Sequence, residues 1–153
     1  MTAHDAPADQ DQSQPWSRAG RQPRIAIIGA GMSGIAAVAK LQHAGYTDLT
    51  VYEKADKVGG TWRENTYPGA ECDVPSALYS YSFEHNAQWQ YKWSEQAQIL
   101  DYLRHVADKH GLVQHMRFGQ PVVGAKWDAS RNQWQVQLAD GTPIECQFLV
   151  SAV

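Results

Sequence analysis

Six residues near the start of the chain, GAGMSG at 29–34, have the spacing G-x-G-x-x-G. In such a turn Gly29 permits a tight bend, Gly31 lets a pyrophosphate approach the backbone, and Gly34 lets a helix pack closely against a strand. Glycine-rich turns are common, so the spacing alone is a weak signal. Glu53 strengthens it, because it ends the next predicted strand, where dinucleotide sites carry an acidic residue. The pattern predicts a dinucleotide site.

Glu53 also restricts which dinucleotides the site could bind. Its carboxylate would accept hydrogen bonds from the hydroxyl groups of an adenosine ribose and would repel a 2′-phosphate. Beside it, the N-terminus of the following helix would present unpaired N–H groups and about half a positive charge to the phosphates. We therefore expect FAD or NAD at this site rather than NADP. The alternative is a structural glycine turn followed by an unrelated glutamate.

The elements that must position these residues are a strand, a helix and a second strand. RIAIIG at 24–29 is a short apolar run bounded by turn residues, typical of a strand buried on both faces. AGMSGIAAVAKLQHAG has apolar residues at helical spacing and ends at Gly45, a good C′ residue. LTVYEK at 49–54 is the next strand. This βαβ unit predicts parallel strands joined by a right-handed crossover.

A second helix and further strands follow. SEQAQILDYLRHVADKHGL predicts a helix with Ser94 as its N-cap and Gly111 at its end. Its buried stripe is formed by Ile99, Leu103, Val106 and Ala107. MRFG, PVVGAKWDA, NQWQVQLA and ECQFLVSAV read as strands with turns at SRN and DGT. We expect a short antiparallel meander with a cross-strand pair between Trp127 and Trp134, and FLVSAV as a buried strand of the main sheet.

The composition excludes several classes of function. Of 153 residues, 43% are hydrophobic and 19% are charged, as in globular proteins. The net charge of −3 and the scattered Lys and Arg argue against nucleic-acid binding, which needs a clustered basic face. No window approaches the roughly 18 apolar residues of a membrane span. The six histidines lack metal-ligand spacing, so we predict no metal.

Domain limits and redox state follow from the same composition. Residues 1–22 contain no Val, Ile or Leu and have no apolar signal-peptide region, so we predict a disordered tail. Residues 23–153 form the predicted domain.

The chain stops at the end of a predicted strand, which indicates truncation at the C-terminus. The chain has two cysteines, Cys72 and Cys146, whereas a secreted disulfide scaffold would normally use more in a shorter chain, and this scarcity favours reduced thiols in a cytoplasmic protein.

The stretch GGTWRENTYPGAECDVPSALYSYSF at 59–83 is rich in aromatic residues, glycine and proline. For most of its length it fits neither the helix period nor strand alternation, although residues 78–83 alternate as a half-buried strand would. Asp73 could be a loop carboxylate that caps a turn. Glu71 and Asp73 could also be paired hydrolytic carboxylates, but we consider this the less attractive interpretation. Cys72 lacks a histidine nearby in sequence, which favours a small buried thiol.

Together these segments resemble the class B flavoprotein monooxygenases, the family of Baeyer–Villiger monooxygenases and flavin-containing monooxygenases. The resemblance is carried by GAGMSGI, by YEKADKVGGTWRENTYPGAECDVPSALYSYSF and by the WSEQAQILDYLRHVADKHGL helix. FLVSAV looks like the strand before the linker between the family's two nucleotide domains. The likeness covers about residues 24–153. It implies an α/β fold, a Rossmann-like FAD/NAD(P)-binding domain with a parallel sheet and a small antiparallel meander.

The resemblance also implies roles for individual residues. Those expected to contact the cofactors are Gly29, Gly31, Ser33 and Gly34 at the FAD pyrophosphate, Glu53 and Lys54 at the end of the second strand, Gly60, Thr61, Trp62, Arg63 and Glu64 along the flavin side, Glu71, Cys72 and Asp73 at the flavin and the nicotinamide of NADPH, Tyr79, and Val122 beside the adenine. Asp73 is similar to the family's active-site aspartate, which pairs with an arginine from the NADPH domain. No metal is implied.

The family's reaction is NADPH-dependent. NADPH reduces FAD, O₂ adds to the flavin to form a C4a-peroxyflavin, and the peroxide converts a ketone to an ester or lactone, or oxidises a soft N or S atom. The second G-x-G-x-x-G and the distal arginine do not occur in this sequence. The resemblance therefore implies the N-terminal FAD-binding portion of a larger enzyme, with a small-molecule ketone as the preferred substrate. The alternatives are a non-catalytic FAD-binding fragment, an N- or S-oxygenating enzyme, and an NAD-dependent dehydrogenase domain.

Overall fold

The computed structural model describes residues 22–153, and the predicted tail lies outside this range except for Gln22. Strand β1 (Ile25–Ile28), helix α1 (Met32–His43) and strand β2 (Leu49–Tyr52) form the predicted βαβ unit. The strands are parallel, with Ile27 opposite Val51. Ala44 is the C-cap of α1, and Gly45, which follows it, has a φ of 87°. This left-handed conformation is the one that favours glycine after a helix, so the predicted stop at Gly45 is confirmed.

A one-turn helix, α2 (Thr61–Glu64), precedes the long helix α3 (Gln96–Lys109). The predicted apolar stripe of α3 is buried. The prediction that Ser94 is its N-cap is wrong, since Glu95 occupies that position. Ser94 is instead buried, and its Oγ lies 2.6 Å from Oγ of Ser76. Its hydroxyl is therefore committed to a loop contact and is not bonded to the helix amides.

Four strands make the main sheet, in the order β3 (Met116–Arg117), β2, β1 and β7 (Phe148–Ser151). β3 (Met116–Arg117) follows a 3₁₀ turn at Leu112–His115 and pairs with β2 in parallel. The sequence predicted that MRFG belongs with the meander, but the buried side chain of Met116 lies in the main core. The meander consists of β4 (Val122–Asp128), β5 (Gln133–Leu138) and β6 (Pro143–Cys146).

The last strand, β7 (Phe148–Ser151), pairs with β1 in parallel, which confirms that the chain returns to the main sheet. In the meander Trp127 lies directly opposite Trp134, and the ring centroids are 5.6 Å apart. The predicted cross-strand pair is confirmed. The fold is thus a Rossmann-like α/β domain with a parallel sheet and a small antiparallel sheet.

The main sheet is covered on both faces. On one face Ile27 and Val51 pack with α1 and α3 in the larger core. On the other, Ala26 and Tyr52 pack with Val136, Leu138 and Cys146 of the meander. A strand enclosed by two layers has no solvent face, which explains why β1 is apolar without alternation. Within residues 22–153 no helix is both long enough and apolar enough to cross a bilayer.

The end of the aromatic stretch is not a strand, contrary to prediction. Residues 78–83 are turns and bends, with an isolated bridge between Tyr81 and Glu84. The backbone N–H of Tyr81 donates to the Tyr102 hydroxyl at 2.8 Å. A side chain of α3 therefore takes the donor that a neighbouring strand would otherwise pair. The alternation instead reflects one buried side chain, Tyr81, stacked on half-buried Phe83.

Candidate functional site

A cleft of about 490 Å³ opens at the carboxyl ends of β1, β2 and β7. Ligands of open α/β sheets bind at this edge, where the strands end and loops diverge. Most of the predicted cofactor residues line the cleft: Gly29, Gly31, Ser33, Glu53, Lys54, Gly60, Thr61, Trp62, Glu64, Tyr79 and Val122. The tertiary structure thus brings together residues that come from five separate segments of the chain.

The glycine turn forms the floor of the cleft. Gly29 has a φ of 97°, and its N–H donates to the Tyr52 carbonyl at 2.9 Å. A Cβ on Gly34 would overlap the carbonyl oxygen of Gly29, so the turn and α1 leave no space for a side chain there. A Cβ on Gly31 would lie 3.5 Å from the Cα and 3.9 Å from the nitrogen of Gly60, which is ordinary van der Waals contact. The two sides of the cleft therefore face each other through two glycines.

The N-terminus of α1 is available to an anion. Its N-cap is Gly31, which has no side chain to bond the first-turn amides, and the first turn contains no acidic residue. Unpaired N–H groups and the positive end of the helix dipole thus face the cleft at Ser33. This arrangement suits a phosphate or pyrophosphate.

Glu53 lies at the end of β2 and is only 4% exposed. Its Oε2 accepts a hydrogen bond from the Ala30 amide at 2.7 Å, and its Oε1 accepts one from the Ala55 amide at 2.9 Å. Each carboxylate oxygen has two lone pairs, so Glu53 can still accept hydrogen bonds from a ligand hydroxyl. The sequence pointed to this residue as a ligand acceptor. It did not reveal that the same carboxylate holds the glycine turn.

The opposite wall is built from α2 and the aromatic stretch. Trp62 Nε1 donates to the Tyr79 hydroxyl at 3.1 Å, and the two rings meet edge to face at 5.8 Å. The Gln96 side chain donates to the backbone carbonyl of Trp62, which fastens α2 to the start of α3. The wall is therefore an aromatic surface whose position is determined by hydrogen bonds to neighbouring elements.

Charged side chains lie at the rim of the cleft. Lys54 Nζ lies 3.1 Å from Glu64 Oε1, and Arg63 Nη2 lies 3.0 Å from the same oxygen. The hydrogen bond from Lys54, with the charge of Arg63, lowers the pKa of Glu64 below its ordinary value. Glu64 is thus an anion near neutral pH, and it links the end of β2 to α2 across the rim.

Five predicted residues lie outside the cleft lining: Gly34, Arg63, Glu71, Cys72 and Asp73. The Cys72 amide donates to the Ser94 carbonyl at 3.0 Å, so residues 71–73 lie along the approach to α3. Glu71 and Asp73 are exposed, while Cys72 is the small buried thiol that the sequence indicates. The roles of these three residues at the flavin and NADPH stay predictions.

The cleft also contains residues that sequence reasoning missed. They are Ile28, Met32, Tyr52, Gly59, Pro121, Ala152 and Val153. Ile28, Tyr52 and Ala152 could have been found from the rule that strand ends meet at the ligand edge, since each ends or follows a strand of the parallel sheet. Met32 could not have been found in this way, because its position in the cleft depends on how the glycine turn leads into α1. Among residues 22–153 there is no cluster of His, Cys, Asp and Glu that could hold a metal ion.

Comparison with known proteins agrees with this geometry. A model of the NAD(P)-binding Rossmann-like domain family matches residues 27–106. A Baeyer–Villiger monooxygenase of Streptomyces coelicolor is 46% identical over 129 residues, which cover 84% of this chain and 25% of that protein. An FAD-binding monooxygenase of Aspergillus niger is 39% identical, with 84% of this chain and 23% of that protein covered.

Solved structures give the same result. A steroid monooxygenase bound to NADP superposes with a TM-score of 0.80 and 38% identity, covering 86% of this chain and 26% of that one. A closed structure of cyclohexanone monooxygenase has the same score and identity, covering 87% and 26%. The chain spans about a quarter of the length of the curated relatives it matches. It belongs to the NAD(P)-binding Rossmann-like domain family, and its resemblance to the Baeyer–Villiger and related flavoprotein monooxygenases is confirmed.

Proposed function

We propose that this chain is the FAD-binding part of an NADPH- and O₂-dependent flavin monooxygenase. The observation that carries the proposal is the cleft at the strand ends, where an uncapped helix N-terminus, the Glu53 carboxylate and the Trp62–Tyr79 wall line one cavity. The helix end suits a pyrophosphate, the carboxylate suits a ribose, and the aromatic wall suits a flat ring system. A nicotinamide dinucleotide would use the first two features without needing the third.

The residues present fit FAD chemically. Gly31 leaves the backbone open to a pyrophosphate, and Ser33 adds a hydroxyl donor beside it. Glu53 is the acceptor for the ribose hydroxyls, with Lys54 next to it, and Val122 borders the adenine. Gly60, Thr61 and Trp62 lie along the cofactor towards the flavin. Bound flavin supplies the redox chemistry with NADPH and O₂, while these side chains bind it, orient it and exclude water.

For the whole protein we propose Baeyer–Villiger oxidation of a small-molecule ketone, with N- or S-oxygenation as the alternative. Support comes from relatives that are named Baeyer–Villiger monooxygenases. Asp73 is the proposed active-site carboxylate, with Glu71 and Cys72 beside it at the nicotinamide end. Its exposure in this chain is consistent with a partner group supplied by the remainder of the enzyme. We also propose a cytoplasmic location, on the basis of two free, buried cysteines.

The experiment is a titration of the purified chain with FAD and, separately, with NAD. We expect quenching of FAD fluorescence and a yellow protein that absorbs near ~450 nm because of the cofactor. Tight retention of NAD without FAD binding would overturn the proposal in favour of a dehydrogenase domain.

The activity itself is tested in the full-length protein. We expect NADPH-dependent oxygen uptake that is stimulated by ketones, and a lower turnover per bound flavin in Asp73→Asn. The matched control is Glu145→Gln, which alters an exposed carboxylate on the meander. Full turnover in Asp73→Asn would remove Asp73 from the mechanism.

A further inference from the structure

A buried tyrosine of the aromatic stretch is bonded to the first turn of the helix at the cleft. Tyr81 is 7% exposed, and its hydroxyl donates to the Met32 carbonyl at 2.8 Å. Met32 begins α1 and lines the cleft. Tyr81 itself does not line the cleft, so it would act on a ligand only through the helix.

The position of Tyr81 is determined by its neighbours. Its backbone N–H donates to the Tyr102 hydroxyl at 2.8 Å, and that hydroxyl donates in turn to the Glu84 carbonyl at 2.6 Å. The Tyr81 ring stacks on Phe83 at 4.9 Å and lies 5.7 Å from the Tyr102 ring. Because both the backbone and the ring of Tyr81 are held by these contacts, its hydroxyl can hold the Met32 carbonyl in place.

The hydroxyl of Tyr81 is a permanent donor. Burial raises its pKa far above the ordinary value of 10.0, with smaller contributions from the neighbouring tyrosines. It therefore stays protonated throughout the pH range in which proteins are usually folded. The Met32 carbonyl has two lone pairs, so it can accept this bond in addition to a helical one.

The first turn of α1 needs such a contact because its own restraints are few. Its N-cap has no side-chain hydrogen bond. The helical hydrogen bonds begin with the Ile35 amide, which donates to the Gly31 carbonyl at 3.0 Å. The amides before Ile35 are those that a pyrophosphate would use. A small shift of this turn changes the direction of several donors at once.

We propose that Tyr81 is a positioning residue for the anion-binding first turn of α1, and that its hydrogen bond to Met32 sets the affinity for the pyrophosphate of the cofactor. This rests on the proposed FAD function. It assigns to the aromatic stretch a second role besides forming the cleft wall, namely alignment of the helix amides.

The test compares Tyr81→Phe with Ser76→Ala. Tyr81→Phe removes one buried hydroxyl and keeps the ring. Ser76→Ala also removes a buried, hydrogen-bonded hydroxyl from the same stretch, but Ser76 bonds Tyr91, Lys92 and Ser94, none of which lines the cleft. Thermal unfolding of each variant is measured first, and binding is measured well below the lower melting temperature.

The dissociation constants of FAD and of ADP are measured for the wild-type chain and both variants. ADP carries the adenosine and the pyrophosphate without the flavin. We expect Tyr81→Phe to weaken both ligands by the same factor, about three- to tenfold, the range that one ordinary hydrogen bond supports. Ser76→Ala should leave both dissociation constants within about twofold of wild type, because none of the residues that the Ser76 hydroxyl contacts lines the cleft.

A second measurement needs no ligand. Hydrogen exchange of the Ile35 amide, which closes the first turn of α1 on the Gly31 carbonyl, should be faster in Tyr81→Phe than in Ser76→Ala when it is followed by NMR. Equal FAD and ADP affinities in Tyr81→Phe and wild type, or equal losses in both variants, would overturn the role of Tyr81. Failure of the wild-type chain to bind FAD or ADP would instead overturn the proposed function on which it rests.

Discussion

The carboxylate of Glu53 is bonded to the backbone of Ala30, with 2.7 Å between Oε2 and the amide nitrogen. Ala30 is fully buried in the glycine turn, and Glu53 comes directly after β2. The acid that faces the predicted ribose site therefore also fixes the shape of the predicted pyrophosphate site. The proposed ligand contact and a structural hydrogen bond therefore belong to the same side chain.

Glu53→Gln should impair both stability and binding. Glutamine has one acceptor oxygen, so either the Ala30 or the Ala55 amide would face an NH₂ group in a buried position. We expect the free energy of unfolding to fall by about 1–3 kcal/mol and the FAD dissociation constant to rise about tenfold or more. Urea unfolding and FAD fluorescence titration measure the two effects. Glu145→Gln is the control, with a stability change of about 0.5 kcal/mol or less; equal effects in both variants would contradict this role.

Alanine at two glycines of the turn should separate binding from folding. At Gly31 a Cβ has ordinary contacts and no positive φ, so Gly31→Ala should keep the fold but weaken FAD binding, because the methyl group enters the path of the pyrophosphate. At Gly34 the Cβ would overlap the Gly29 carbonyl, so Gly34→Ala should lose stability first. Circular dichroism with heating and FAD titration distinguish the two. Gly124→Ala, in open space, is the control. Wild-type FAD affinity in Gly31→Ala would refute a pyrophosphate at this turn.

The ion pairs of Glu84 predict a loss of stability in acid. Lys109 Nζ and His110 Nε2 lie 2.8 and 2.9 Å from its carboxylate oxygens, and the hydrogen bond from Lys109, followed by that from His110, lowers the pKa of Glu84 below 4.5. A lowered pKa in the folded state gives stability that is present above the unfolded value and is lost as the pH falls through the folded value. The stability difference between wild type and Glu84→Gln should therefore be largest near neutral pH and shrink below pH 4.5. Urea unfolding from pH 7 to about 3 checks this, and a difference that grows in acid would contradict it.

The Trp127–Trp134 pair should matter for stability and not for the cofactor. The rings lie across β4 and β5, and neither residue lines the cleft. Trp127→Ala should lower the free energy of unfolding by about 1 kcal/mol, the value of an edge-to-face pair, and leave FAD affinity unchanged. Val123→Ala, on the same strand but without a ring contact, should cost less. Weaker FAD binding in Trp127→Ala alone would contradict a purely structural role for this tryptophan pair.

Local patterns were sufficient for the first half of the site. The apolar run of β1, the glycine turn, α1 and the acidic end of β2 are adjacent in sequence, so their pairing needs one short crossover. Strand alternation and turn residues likewise predicted β4 and β5 with the tryptophans opposite each other. In each case the contacts join residues of one βαβ unit or one hairpin, and the local spacing determines which side chains meet.

The errors in the prediction have a common origin in long-range contacts. Ser94 looked like an N-cap, but its hydroxyl is bonded to that of Ser76. Residues 78–83 looked like a strand, but the Tyr81 amide within them donates to the hydroxyl of Tyr102 in α3. Alternation and capping signals describe what a segment can form with its neighbours in sequence. These signals do not show when a hydroxyl group from a distant part of the chain forms a hydrogen bond with the same backbone N–H or side chain instead.

The sequence by itself determined the dinucleotide turn, the acidic strand end and the resemblance to flavoprotein monooxygenases, because each depends on residue types at short spacing. Only the tertiary structure decided which side chains face the cleft, that Glu53 holds Ala30, that Tyr81 is bonded to Met32, and that residues 71–73 lie beside α3. These contacts join segments tens of residues apart. Their geometry depends on how the packed core brings the strands, α1 and α3 together, and no short pattern in the sequence encodes that distance.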